Sequence, residues 1–166
     1  QATATAIAVC LLIGAIGKVD HHPNQTHALL MPLIDQGFNN LAGPPSLESC
    51  TRDIYAHHQR FSLCTVLNIA INIAAAAEHL HAAQILHGDL YAHNILLNME
   101  GKALLGDFGA ASFYDSKHTL LQNIEVQAFA CLLEELISRA EGPSIILDRL
   151  INLKMSCAQS HLPARP

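Results

Sequence analysis

Apolar positions along the chain fall into blocks separated by short polar or glycine-bearing stretches, and each block's length and spacing predicts an element. Ala2 to Gly17 is an uncharged run. It is short for a membrane span, which needs about 20 apolar residues, and it lacks the basic flank of a signal sequence, so it predicts a buried helix. Asp20 to Asn24 is a polar turn, His27 to Ile34 a strand, and Gln36 to Ser46, with Gly37, Gly43 and the pair Pro44-Pro45, a loop. Ser62 to His81 is rich in Ala, Leu and Ile without Gly or Pro, which predicts a helix buried on most faces. Ile85 to Asn94 is a loop. Ile95 to Leu97 and Ala103 to Leu105 are short apolar strands around the turn Asn98-Met99-Glu100-Gly101, a hairpin framed by two acidic loops. A second apolar helix runs from Ile124 to Arg139, stopped by Gly142-Pro143, and a third spans Ser144 to Lys154. The chain shows no internal repeat.

Composition narrows the class. With 166 residues, 51% of them apolar and 14% charged, the chain has room for one soluble domain with a real core. A net charge of −5 with nine Lys and Arg gives no basic footprint, which argues against nucleic acid and an anionic membrane surface as partners. Cys10, Cys50, Cys64, Cys131 and Cys157 are widely spaced and include no C-x-x-C. That points to a reducing cytoplasm rather than a disulfide framework. The histidines, including the pairs His21-His22 and His57-His58, are not read as a metal centre. The first residue is Gln, and the chain is read as a fragment or a processed product.

The segment that carries chemistry is His87-Gly88-Asp89-Leu90-Tyr91-Ala92-His93-Asn94, followed 13 residues after Asn94 by Asp107-Phe108-Gly109. Phosphoryl transfer from ATP needs a carboxylate to receive the hydroxyl proton and oxygen ligands to hold Mg2+ on the phosphates. A hairpin between the two loops lets them converge. In this reading Asp89 is the base, while Asn94 and Asp107 are the metal ligands.

H-x-D-L-x-x-x-N followed by D-F-G resembles the protein-kinase signature set. Flanking residues extend the resemblance. Ala74 to His81 (AAAAEHLH) is similar to the end of the helix before the catalytic loop, His22-Pro23-Asn24 to the turn after the regulatory helix, and His27 to Ile34 to the hinge strand. Glu125 to Leu136 (EVQAFACLLEEL) resembles the central helix of the lower lobe, with Glu125 where the family usually has Asp. Arg165-Pro166 resembles the arginine that closes the lobe in tyrosine-kinase-like members. The resemblance implies an α+β, mainly helical kinase C-lobe across residues 1–166, with about 1–34 a remnant of the N-lobe. It also implies ATP and Mg2+ as cofactors and a protein hydroxyl as acceptor. Met31 and Leu33 of the hinge strand and Leu96 of the hairpin would then contact nucleotide beside Asn94 and Asp107.

Several positions depart from the family. Lys18 is the only Lys or Arg before Arg52, and Ile13 stands where the helix glutamate is expected, so the lysine–glutamate pair that clamps phosphates is missing. Gly88 replaces the arginine of many kinases, Tyr91 the lysine of serine/threonine kinases and His93 the arginine of tyrosine kinases. Seventeen residues lie between Asp107 and Glu125 with no A-P-E motif, and Arg165 is left to find an acid such as Glu134 or Glu135. Two alternatives follow: a non-catalytic pseudokinase that acts by binding, and a small-molecule phosphotransferase of the aminoglycoside or choline type. A truncated upper lobe predicts exposed apolar surface at Ile7 to Ile16 and Leu29 to Leu33, with self-association.

Overall fold

The computed structural model describes residues 15–18, 27–30, 33–50, 52–142 and 145–159. His22-Pro23-Asn24, Met31, Ile7 to Ile13 and Arg165-Pro166 lie outside them. Ala15–Lys18 (β1) and His27–Leu30 (β2) pair antiparallel, with Ile16 opposite Leu29. The helix expected over Ala2 to Gly17 is therefore corrected at its end, where Ala15 to Gly17 is strand. Gly17 is a poor helix former, and pairing with a neighbouring strand satisfies the backbone donors and acceptors there. Of the strand expected over His27 to Ile34, His27–Leu30 is strand, whereas Leu33 and Ile34 are not and Leu33 is fully exposed.

The hairpin forms where the apolar blocks put it. Ile95–Leu97 (β5) pairs with Ala103–Leu105 (β6), Leu96 opposite Leu104. Its turn is built by Asn98, whose Oδ1 accepts from the N–H groups of Glu100 at 3.1 Å and Lys102 at 2.8 Å. Gly101 takes a φ of 80°, which glycine adopts without steric cost. The outer edge of β5 is not bare, because Asn39–Asn40 (β3) pairs with it antiparallel. The loop expected over Gln36 to Ser46 thus contains a strand. Two asparagines carry no apolar alternation, and the pairing is imposed by the open edge of β5. Likewise Ile85–Leu86 (β4), inside the expected loop, pairs with Ser112–Phe113 (β7).

Leu63–Ala82 (α1) starts at Ser62, whose hydroxyl accepts from the Thr65 N–H at 3.1 Å and so satisfies one of the free donors of the first turn. The helix is 20 residues long and apolar enough to cross a membrane by length and composition. One face is in the core: Val66, Ile69, Ile73 and Ala76 are fully buried, while Ile71 on another face is 63% exposed. Gln122–Ile137 (α2) contributes Leu132, Leu133 and Leu136 to the same core, together with Ile95, Ala103 and Leu105 of the hairpin. Phe129 is partly buried, packed against this core on one side and lining a groove on the other. Ile145–Cys157 (α3) packs on α2. The start of α1 is bolted to the end of α2 by two backbone bonds, Phe61 N–H to Arg139 O at 3.0 Å and Glu141 N–H to Phe61 O at 2.9 Å.

Candidate active site

The segment from His87 to Asn94 runs between β4 and β5, and its geometry is set by bonds that reach in from three sides. Asn94 closes a short helical turn, Ala92–Asn94, and is buried. Its Nδ2 donates to the Asp89 carbonyl and to Asp89 Oδ2, both at 2.9 Å, so the amide and the carboxylate are locked side by side. That orientation leaves the Asn94 amide oxygen without a donor among the described residues. An oxygen free beside a carboxylate is the donor chemistry that a hard cation such as Mg2+ takes.

The second acidic loop is fastened to the first. The Gly106 N–H donates to the Asn94 carbonyl at 2.8 Å. His87, fully buried, makes a 2.8 Å bond from Nε2 to the Gly106 carbonyl and a 3.3 Å bond at Nδ1 from the Asp89 N–H. One tautomer, protonated at Nε2, does both, and the His87 ring also packs edge-on against Phe108 at 4.9 Å. Asp107 follows immediately, with a left-handed backbone (φ 54°) and its Oδ1 accepting from the Gly109 N–H at 3.1 Å. It is exposed, whereas Asp89 is half-buried. The structure thus ties Asp89 directly to Asn94, and brings Asp107 to them through the backbone of Gly106.

Glu125 is the anchor beneath. Its Oε1 accepts from the Gly88 N–H at 2.7 Å and its Oε2 meets His81 Nε2 at 2.6 Å. Burial pushes the Glu125 carboxyl up, but the bonds from His81 and Gly88 outweigh it and hold the group below the ordinary glutamate value. Gly88 has a φ of 79°, and a Cβ there would lie 2.5 Å from the Ala110 carbonyl oxygen. Glycine at this position therefore lets the loop after Asp107 rest directly on the segment from His87 to Asn94. That loop is held further by Tyr114, whose N–H donates to Gln84 O at 3.0 Å and whose hydroxyl donates to His81 O at 3.1 Å and accepts from Gln122 Nε2.

Leu96 is half-buried in the middle of β5, between Asn40 and Leu104. Leu33 is exposed, and Met31 lies outside the described residues. Glu134 and Glu135 are engaged by Arg52, at 2.6 and 3.3 Å. Glu135 also accepts from the Tyr55 hydroxyl at 3.1 Å, and burial raises its carboxyl despite these bonds. Sequence reasoning named His87 only as part of a motif and gave no role to Asp53 or Asn40. Asp53 is buried and grips His93, with 2.8 Å from Oδ1 to Nδ1 and 3.1 Å from Oδ2 to the backbone N–H, while Asn40 Nδ2 donates to His93 O at 2.8 Å. No local pattern marks a pairing across 40 or 53 residues.

An α+β domain in which an Asp–Asn loop and an Asp-Phe-Gly loop are bonded across a hairpin is the arrangement of a phosphotransferase of the kinase type. Residues 38–134 match the protein kinase domain family, more than half of the chain, and the chain belongs to that family. Among curated proteins it is similar to a serine/threonine-protein kinase US3 homolog of Cercopithecine herpesvirus 9, 38% identical over 64 residues. That alignment covers 37% of this chain and 19% of the relative. It is also similar to serine/threonine-protein kinase Nek3 of Mus musculus, 37% identical over 67 residues covering 40% and 11%. A third is serine/threonine-protein kinase TNNI3K of Homo sapiens, 41% identical over 64 residues covering 36% and 8%. The aligned stretches span about a fifth of these relatives' length or less.

Proposed function

We propose that this domain is the C-terminal lobe of a protein kinase and that its site serves ATP-dependent phosphoryl transfer to a protein hydroxyl. The observation that carries the reading is the pair of hydrogen bonds that the Asn94 amide nitrogen donates to Asp89, which leaves its amide oxygen without a donor among the described residues. In this reading Asp89 receives the hydroxyl proton, and Asn94 and Asp107 would hold Mg2+, which supplies charge neutralisation on the phosphates when bound. Glu125 and His87 orient the loop and touch neither substrate nor metal. The relatives' names, all protein kinases, support a protein acceptor over a small-molecule one. A reducing cytoplasm is the compartment proposed, on the wide spacing of the cysteines without a C-x-x-C.

Binding and turnover separate in this reading. Lys18 is the only Lys or Arg ahead of Arg52, and a lysine held by a carboxylate is what clamps the phosphates in an active kinase. Each charge-assisted contact of that clamp is worth about 1.5 to 3 kcal/mol, so residues 1–166 by themselves should bind nucleotide weakly and transfer no phosphate. The test is thermal shift with Mg2+ and ATP alongside radiolabelled ATP turnover, for wild type, Asp89→Ala and Asp107→Ala. A Mg2+-dependent shift lost in Asp107→Ala, without turnover, is expected. A shift indifferent to Asp107→Ala would contradict the metal assignment, and wild-type turnover abolished by Asp89→Ala would show the isolated site to be sufficient.

A further inference from the structure

We infer that Asp53 is a positioning residue for the metal-binding amide: it fixes the turn that presents Asn94 from 40 residues before His93 in the chain. The turn Ala92–Asn94 is three residues long, and its leading residue, Tyr91, offers no side-chain cap. So short a turn satisfies little of its own backbone, because the first N–H groups of any helix have no internal partner. Within it Asn94 N–H donates to Tyr91 O at 3.1 Å. The His93 N–H is instead satisfied by Asp53 Oδ2, from 40 residues away.

The grip on His93 is threefold. Asp53 takes the backbone N–H and the ring Nδ1, and Asn40 donates to the carbonyl. Asp53 itself cannot drift, since its side chain is 1% exposed. Its segment is riveted on both flanks: Arg52 to Glu134 and Glu135, Tyr55 to Glu135 with the Arg139 guanidinium 3.9 Å over the Tyr55 ring, and Ile54 to Gly43 by two backbone bonds of 2.8 and 3.0 Å. A residue pinned at its amide, its ring and its carbonyl has no freedom to rotate. Asn94 is next in the chain and inherits that placement, and Asp89, bonded to the Asn94 amide, inherits it in turn. An apolar residue at position 53 would leave the half-buried His93 N–H and its ring nitrogen without their acceptor beside Asn94.

The inference rests on Asn94 being a metal ligand, and the experiment separates the two claims. Mn2+ with ADP is titrated by electron paramagnetic resonance into the full 166-residue chain, for wild type, Asp53→Ala, Asp53→Asn and Asn94→Ala. Amide hydrogen exchange at His93 and Asn94 and the thermal midpoint are read on the same samples. Removing a group that orients a metal ligand typically costs about 10- to 100-fold in metal affinity. Asp53→Ala is expected to weaken Mn2+·ADP by about tenfold and to speed exchange at His93 and Asn94, with α1 and α2 unchanged. Asp53→Asn keeps an acceptor for the His93 N–H and should restore most of both. Wild-type-like binding and exchange in Asp53→Ala would overturn the inference. So would equal damage in Asp53→Asn with exchange raised across the helices, which marks a general structural role. If wild type binds no Mn2+·ADP, the functional reading fails, and the exchange data alone decide whether Asp53 orders the turn.

Discussion

Glu125 shows how much one side chain does here. It accepts from Gly88 and from His81 at the same time, and its carboxyl titrates below the ordinary range because those bonds favour the charged form. A lowered folded-state value means that its contribution is complete above the unfolded carboxyl value of about 4.3 and is lost as pH falls through the folded value. Glu135 acts in the opposite sense: burial raises its value, so its ionisation opposes folding as pH rises through that value. The clean comparison is therefore between chains that differ only at position 125. Glu125→Gln should flatten the acid limb of stability below about pH 4.3, and Glu125→Ala should cost about 3 kcal/mol at pH 7 by stranding Gly88 N–H and His81. Denaturant unfolding across pH checks both, and an unchanged acid limb in Glu125→Gln would contradict the assignment. Asp89, Asn94 and Asp107 are legible in the sequence because their spacing is itself the signal. Asp53 and Asn40 are not, because their partner is remote and a lone polar residue in a loop looks the same whether or not it is buried.

At the scale of elements, the hairpin was readable to the residue, since two apolar triplets around Asn98 to Gly101 admit one pairing. α1 and α2 were readable within about two residues at either end. β3, β4 and β7 were not, because two-residue strands carry no periodicity and exist only where a partner edge is offered. The sequence shows α2 to be apolar but not which of its residues are fully buried. Leu133 and Leu136 are fully buried, whereas Phe129 lines a groove of about 970 Å³ with Ile71, Val126 and Leu153. The 3.6-residue period identifies an apolar helix but not which of its apolar faces meets the core first. Leu133→Ala should therefore destabilise by about 2 to 5 kcal/mol, and Phe129→Ala by about half of what a core phenylalanine costs. Urea midpoints of the two variants decide it. Phe129→Ala costing more than Leu133→Ala would place Phe129 in the core after all.

Across the whole molecule, the two acidic loops are parts of one unit fixed from below and from the side. Glu125 on α2 holds Gly88, His87 and Asn94 hold Gly106, and Tyr114 pins the following loop to the end of α1. The helical core supplies rigidity, and the hairpin returns Asp107 to the neighbourhood of Asn94. The measurement that tests this most directly is anomalous diffraction from crystals of the chain soaked with Mn2+ and ADP. The account predicts one anomalous peak within about 2.5 Å of the Asn94 amide oxygen and of an Asp107 carboxylate oxygen, with Asp89 beside it but bonded to the Asn94 nitrogen. A metal bound away from both residues, or no peak under conditions where nucleotide density is clear, would contradict it.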